Sequence, residues 1–366
     1  MSPRPIQGET PETLFERMTP IVPIRIEEAR RVIAEITQRG RDDLSAVKQV
    51  RTIVRDALRE HAPVGQLKIV ERHASNEDPF VKYVFELPDG ARIETVRIPL
   101  HKTGRFSVCV SSQVGCALGC RFCSTGALGF KRNLEAWEII EQVRIVAKEI
   151  RAEGLGRVHG VVFQGMGEPL LNLDEVLAAL AVMSNPCALA IDARQITICT
   201  AGVVPGIRRL TALGTRARLG ISVTSARSAL RRDLMPIEGK YPIQDVVAAA
   251  REFYEASGRL VMLAFAMLGG VNTGPEEAEA IAQLLTMMPA RLSLIDFNPG
   301  AGLPFRRPTD EERGIFMDAL GRLGVPVVRR YSGGQDIGAA CGQLVAGGTP
   351  RVRTPRSGGQ PDEVTP

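Results

Sequence analysis

From Phe106 onward one pattern repeats six times: a short apolar run rich in β-branched residues, then a connection that in most cases carries apolar side chains at helical spacing. The runs are FSVCVSS, VHGVVFQG, QITICTAG, RLGISVTS, RLVMLAFAML and RLSLIDFNP. Helical patterns lie between them, among them LEAWEIIEQVRIVAKEIRAE, LDEVLAALAVM, IQDVVAAAREFYEASG and PEEAEAIAQLLTMM. Strands that alternate with helices pair in parallel, because each helix returns the chain to the side where the last strand began. The pattern predicts an α/β fold. By itself it fits a partial (β/α) barrel and an open doubly wound sheet equally well.

Residues 1–62 read as a small helical N-terminal domain, with apolar positions at helical spacing in EEARRVIAEITQRG and LSAVKQVRTIVRDALREH. Residues 63–105 read as a β extension, in which Asp89-Gly90 signals a hairpin turn. Residues 106–330 form the core. Residues 331–366 form a C-terminal segment whose last twenty residues, rich in Gly, Pro and Arg, have the composition of a disordered tail. No apolar run approaches the roughly 20 residues that span a bilayer, and the N-terminal stretch has no apolar core. The expected location is the cytoplasm, with no membrane contact.

In such a reducing compartment the cysteines suggest metal or redox chemistry more than a disulfide scaffold. There are seven, Cys109, Cys116, Cys120, Cys123, Cys187, Cys199 and Cys341, and the first four crowd into fifteen residues. Cys116, Cys120 and Cys123 form C-x3-C-x2-C just after the first core strand. Three close thiolates suit an iron–sulfur cluster with one iron left open, whereas structural zinc takes four ligands. None of His61, His73, His101 or His159 falls in the loop to complete a zinc set. The net charge of +5 is compatible with a phosphate-bearing partner but does not by itself specify one. Met235, Met262 and Met267 read as packing residues.

The C-x3-C-x2-C loop with Phe122 before its last cysteine resembles the signature of the radical S-adenosylmethionine (SAM) superfamily. More specifically, CVSSQVGCALGCRFCSTGALGFKRNL, GMGEPLLN and DIGAACGQL, in that order, are similar to the RlmN/Cfr family of RNA methyltransferases, as is FELPDGARIETVRIP. The resemblance runs from about Phe80 to Leu344. It implies a partial (β/α)6 radical SAM barrel with the N-terminal helical domain and β extension appended. It further implies one [4Fe-4S] cluster on Cys116, Cys120 and Cys123, and two SAM molecules per turnover.

The resemblance also assigns roles to single residues. Cys341 carries the methyl group, Cys109 resolves the protein–RNA adduct through a disulfide with Cys341, and Glu94 takes the proton from the reacting carbon. Gly167, Glu168, Cys199, Ser222, Val223, Thr224 and Asn298 fall where the family meets SAM. Here the chain departs from the family, which generally has serine at Cys199 and Ser-Leu-His at 222–224. The implied reaction is methylation of an adenine carbon, C2 with C8 as the close variant, in 23S ribosomal RNA and also transfer RNA. The expected partners are RNA and a reducing donor such as flavodoxin or ferredoxin, with the enzyme a monomer. Two other readings stay open: a radical SAM enzyme with a non-RNA substrate, and a non-catalytic RNA-binding relative.

Overall fold

The structure is a computed structural model and describes residues 4–300 and 302–345. The tail expected to be disordered lies outside the described residues. The chain begins with α1 (Pro11–Met18), α2 (Ile26–Ile33) and α3 (Thr52–His61). The helical spacing read from Leu44 breaks before α3, at Gln49, whose φ of 67° no helix interior accepts. These helices dock on the core through Gln7, which exchanges hydrogen bonds with Gly65 at 2.6 and 3.0 Å and donates to Glu141 at 3.2 Å.

Three antiparallel strands follow, β1 (Lys68–Ala74), β2 (Val81–Glu86) and β3 (Arg92–Pro99). The β2–β3 turn carries Gly90 at φ 78°, as the Asp-Gly signal predicts. Next come β4 (Arg105–Val110), β5 (Gln113–Gly115), α4 (Ser124–Leu128), β6 (Phe130–Asn133) and α5 (Ala136–Ala152). The alternation continues with β7 (Arg157–Phe163), α6 (Leu173–Ser184), β8 (Ile196–Thr200), α7 (Val204–Ala212) and β9 (Arg218–Ser222). It closes with α8 (Ser228–Leu234), α9 (Ile243–Ser257), β10 (Val261–Met267), α10 (Pro275–Thr286), β11 (Ala290–Asp296), α11 (Asp310–Arg322) and β12 (Val327–Arg329).

One sheet joins the strands in the order β1-β2-β3-β4-β7-β8-β9-β10-β11-β12. From β4 to β12 every neighbour is parallel. The order never reverses, whereas a doubly wound sheet must reverse at a switch point. Each new strand is added to the same growing edge, which coils the sheet into a partial barrel. The six expected core strands are present, and β12 adds a short seventh. No helix among the described residues is long and apolar enough to cross a membrane.

The layer between the strands and the surrounding helices is apolar, as the stacking of Phe265 on Phe316 of α11 shows. Val108, Val161, Ile198, Ile221, Leu263, Phe265 and Leu294 are each fully or almost fully buried. One charged pair is buried with them: Arg231 of α8 bonds Glu238 at 2.5 Å and the Ala201 carbonyl at 2.7 Å. Such a pair tolerates burial because the two charges face each other, although Arg231 Nε and Glu238 Oε1 have no hydrogen-bond partner among the described residues.

Candidate active site

The strands β5 and β6 pair antiparallel and frame the cysteine loop like the two sides of a hairpin. Cys116 N–H donates to the Gly129 carbonyl at 2.9 Å, tying the loop to that frame. Gly115 is indispensable to it. Its φ is 75°, and a Cβ there would stand 1.8 Å from the Gly129 oxygen. Gly115→Ala is expected to cost about 2 kcal/mol or more of stability. Urea denaturation checks this, and an unchanged midpoint contradicts it.

Cys116, Cys120 and Cys123 line one cavity at the carboxyl ends of the barrel strands. Parallel α/β folds place their ligands there, where loops diverge and backbone groups are free. Burial raises all three thiols, Cys116 to about 12. Backbone N–H groups of Leu118, near Cys116, and of Gly126 and Thr125, near Cys123, oppose that shift. Buried thiols with N–H donors aimed at sulfur fit thiolates that a metal centre deprotonates and outer hydrogen bonds tune. Among the described residues no three His, Cys, Asp or Glu side chains converge on a single metal-ion position. A four-iron cube asks instead for thiols spread around its corners. The loop therefore fits a [4Fe-4S] cluster held by these three cysteines.

Most of the expected SAM-contacting residues line the same cavity: Gly167, Glu168, Cys199, Ser222, Thr224 and Asn298. Val223 does not; it is buried, and its N–H donates to the Ala264 carbonyl at 2.9 Å. Glu168 accepts N–H bonds from Leu170 at 3.1 Å and Ala201 at 2.8 Å. Burial nonetheless raises its pKa above the ordinary value. A carboxylate has about four lone-pair positions, so room remains for an ammonium. Asn298 carries the plainest sign of a missing ligand. Its Oδ1 is buried with no partner among the described residues, while its Nδ2 donates to Ser332 at 3.0 Å and the Cys341 carbonyl at 3.3 Å. Buried acceptors are seldom left unpaired. The donor set and this open acceptor suit SAM.

The departures have visible consequences. Cys199 is buried, its thiol raised to about 12 by burial, and the thiol makes one weak hydrogen bond among the described residues, to Gln164 Oε1 at 3.8 Å. Thr224 adopts φ 54°, uncommon for a β-branched residue, and its carbonyl accepts from Asn272 at 2.7 Å.

The chain from Tyr331 to Val345 folds back across the cavity mouth. Ser124 N–H donates to the Gly342 carbonyl, and Thr125 Oγ1 to the Leu344 carbonyl, each at 2.8 Å. Gln343 donates to the Pro299 carbonyl at 2.8 Å. This strap puts Cys341 in the cavity with Cys109. Burial raises the Cys109 thiol, with the neighbouring Cys341 and Cys199 adding to the shift and Arg330 opposing it. All seven cysteines are free, so the Cys109–Cys341 disulfide implied for one stage of the cycle is not present.

Glu94 does not line the cavity. It is buried behind the wall, with Lys82 Nζ 3.2 Å from Oε1 and the Val345 N–H donating to Oε2 at 2.7 Å.

Several cavity residues escaped sequence reasoning. Arg330 donates to Gln164 at 3.2 Å beside Cys109 and Cys199, and Met235, expected to be packing, lines the wall. Gln113 accepts from the Glu168 N–H at 2.8 Å and fills the space that a side chain at Gly167 would need. A polar residue embedded in an apolar motif, as Gln113 and Gln164 are, was the available signal.

The radical SAM superfamily model matches residues 110–285. A probable RNA methyltransferase of Sorangium cellulosum is 47% identical, covering 92% of this chain and 91% of that protein. A dual-specificity RNA methyltransferase RlmN of Syntrophobacter fumaroxidans is 39% identical, covering 87% and 91%. The solved structure of a radical SAM methyltransferase from Sphaerobacter thermophilus superposes with a TM-score of 0.88 at 34% identity, covering 94% of this chain and all of that one. The chain belongs to the RlmN/Cfr family of radical SAM RNA methyltransferases, enzymes that work with a [4Fe-4S] cluster and SAM.

Proposed function

We propose that this enzyme methylates C2 of an adenine in 23S ribosomal RNA, and in transfer RNA, through an S-methylated Cys341. It acts in the cytoplasm on electrons from a flavodoxin- or ferredoxin-like donor. The reading is carried by one observation: Cys341 shares its cavity with Cys109 and the three loop cysteines. A thiol on a distant segment has no structural reason to face that loop.

An sp2 adenine carbon has no lone pair with which to attack a methyl sulfonium, so direct displacement onto the base fails. The thiol of Cys341 can make that attack. Its sulfur gains the methyl of one SAM, the sulfonium bond breaks, and the thiol proton is lost. When bound, the cluster supplies the electron that splits a second SAM into methionine and a 5′-deoxyadenosyl radical. That radical takes one hydrogen atom from the S-methyl group, becoming 5′-deoxyadenosine, and the carbon radical left on sulfur bonds to adenine C2.

The remaining steps use two side chains. Once the adduct radical has given up one electron, for which the cluster, oxidised in splitting SAM, would be the acceptor, the Glu94 carboxylate takes the C2 proton. For this its contact with Val345 must open, since that N–H now occupies Oε2. The Cys109 sulfur then attacks the Cys341 sulfur. The bond from Cys341 to the methyl carbon breaks, its electron pair goes to carbon, and a proton completes the methyl group. The disulfide left behind is reduced before the next turnover. Gln164, Arg330 and Asn298 hold the walls around these groups.

Position-mapped mass spectrometry of RNA incubated with reconstituted enzyme, SAM and reductant tests the proposal. It predicts one 2-methyladenosine in 23S rRNA. Product at C8 corrects the position, and unmodified RNA alongside 5′-deoxyadenosine formation refutes the substrate.

A further inference from the structure

Tyr331 stands at the rim of the cavity, with 70% of its surface exposed, more than any other large apolar side chain among the described residues. Exposed apolar side chains are common, but they are usually loose. This one is fixed. Its hydroxyl donates to Asp78 Oδ2 at 2.9 Å, and its ring meets Phe80 edge-on at 6.2 Å and 69°. Asp78 is held in turn, accepting from the Gly334 and Phe80 N–H groups at 2.9 and 3.2 Å. Gly333 leaves the space for this arrangement, since a Cβ there would lie 2.5 Å from Phe80 and 2.7 Å from Tyr331.

A rigid aromatic ring kept in water beside a reaction cavity is suited to a flat, apolar guest. Unstacked nucleobases are such guests, and RNA-binding proteins catch them on aromatic faces. The hydroxyl edge of the ring disfavours phosphate, because it bonds the Asp78 carboxylate and lies in the field of Glu77 and Asp336. The exposed part of the ring remains. Arg330, the preceding residue, turns inward to Gln164, so the strap presents a cation to the cavity and an aromatic face to the rim.

We infer that the Tyr331 ring is a stacking platform for the base flanking the target adenine, holding that base open while the target enters the cavity. The inference rests on the RNA reading above. Stacking on an aromatic face is available to every base, so the platform contributes affinity without dictating the neighbouring sequence.

The test uses the reconstituted full-length enzyme and a 23S rRNA transcript. Tyr331→Ala is expected to raise KM for RNA by roughly 5- to 150-fold with little change in kcat. Tyr331→Phe and Tyr331→Trp retain the ring and should stay near the wild-type value, whereas Tyr331→Leu should resemble Ala. S-methylation of Cys341 by SAM without RNA, read by peptide mass, should be normal in every variant. An unchanged KM in Tyr331→Ala overturns the inference, as does full rescue by Leu or an equal loss of RNA-independent Cys341 methylation. Slower reduction by the electron donor at unchanged KM overturns it too. If wild-type enzyme leaves the transcript unmodified, the substrate reading has failed and the platform falls with it.

Discussion

Cys341→Ala is expected to abolish RNA methylation, by at least about 1,000-fold, while leaving iron and sulfide content at the wild-type level. On the proposed mechanism the adenine carbon cannot attack SAM, so removing the sulfur proposed to carry the methyl removes the route itself. A residue that merely assists would leave a measurable rate. The strap should keep its place in this variant, because it is anchored by the carbonyls of Gly342 and Leu344 and by the Val345 N–H, none of which involves the thiol. Tritium transfer from methyl-labelled SAM to RNA, with iron analysis on the same preparation, makes the measurement. Methylation above one hundredth of the wild-type rate would mean that the carbon travels another way.

Cys109→Ala is expected to fail later and more visibly. Methyl transfer to Cys341 and its coupling to the base do not need Cys109, but release does. The variant should therefore accumulate a covalent RNA–protein adduct, seen as a band of reduced mobility on a denaturing gel, with multiple turnover down by about 100-fold or more. Digestion should leave a modified nucleoside on the peptide that contains Cys341. The two variants separate cleanly: one makes no bond to RNA, the other cannot break it. Free methylated RNA at the normal rate from Cys109→Ala would remove that residue from the cycle. Cys199 would then be the next thiol to replace, since it too lies close enough to influence Cys109 electrostatically.

Much of the architecture was legible from local signals. The six strand–helix units, the Asp89-Gly90 turn and the cysteine spacing each depend on residues close in sequence. Periodicity could not choose between barrel and doubly wound sheet, because that choice lies in strand order, which here runs without reversal from β4 to β12. The helical spacing from Leu44 misled for a similar reason. Apolar spacing says which side chains share a face, not whether one residue such as Gln49 leaves the helical region. Trp137 packs so closely on Gly65 that a Cβ there would stand 2.6 Å from its ring, a contact across 72 positions with no local signal.

The site was legible in its residue types and less so in its arrangement. Cys116, Cys120 and Cys123 share one loop, so their spacing carried the chemistry. Glu94 was singled out by motif, yet its latch to Val345 spans 251 positions of sequence and leaves no local trace. Tyr331 and Arg330 were hidden in the same way. They lie after a three-residue strand, where no pattern says which side chain turns inward.

The strap also sets the order in which the enzyme becomes reactive. Thr125 and Leu344 are partners across 219 positions of sequence, so the loop proposed to hold the cluster is translated long before the thiol proposed to carry the methyl group. A nascent chain can fold most of its barrel and still lack the carrier. On the proposed mechanism, the radical source and the carbon shuttle meet only when the final stretch emerges and docks, so an incomplete product would have no means of fusing itself to RNA.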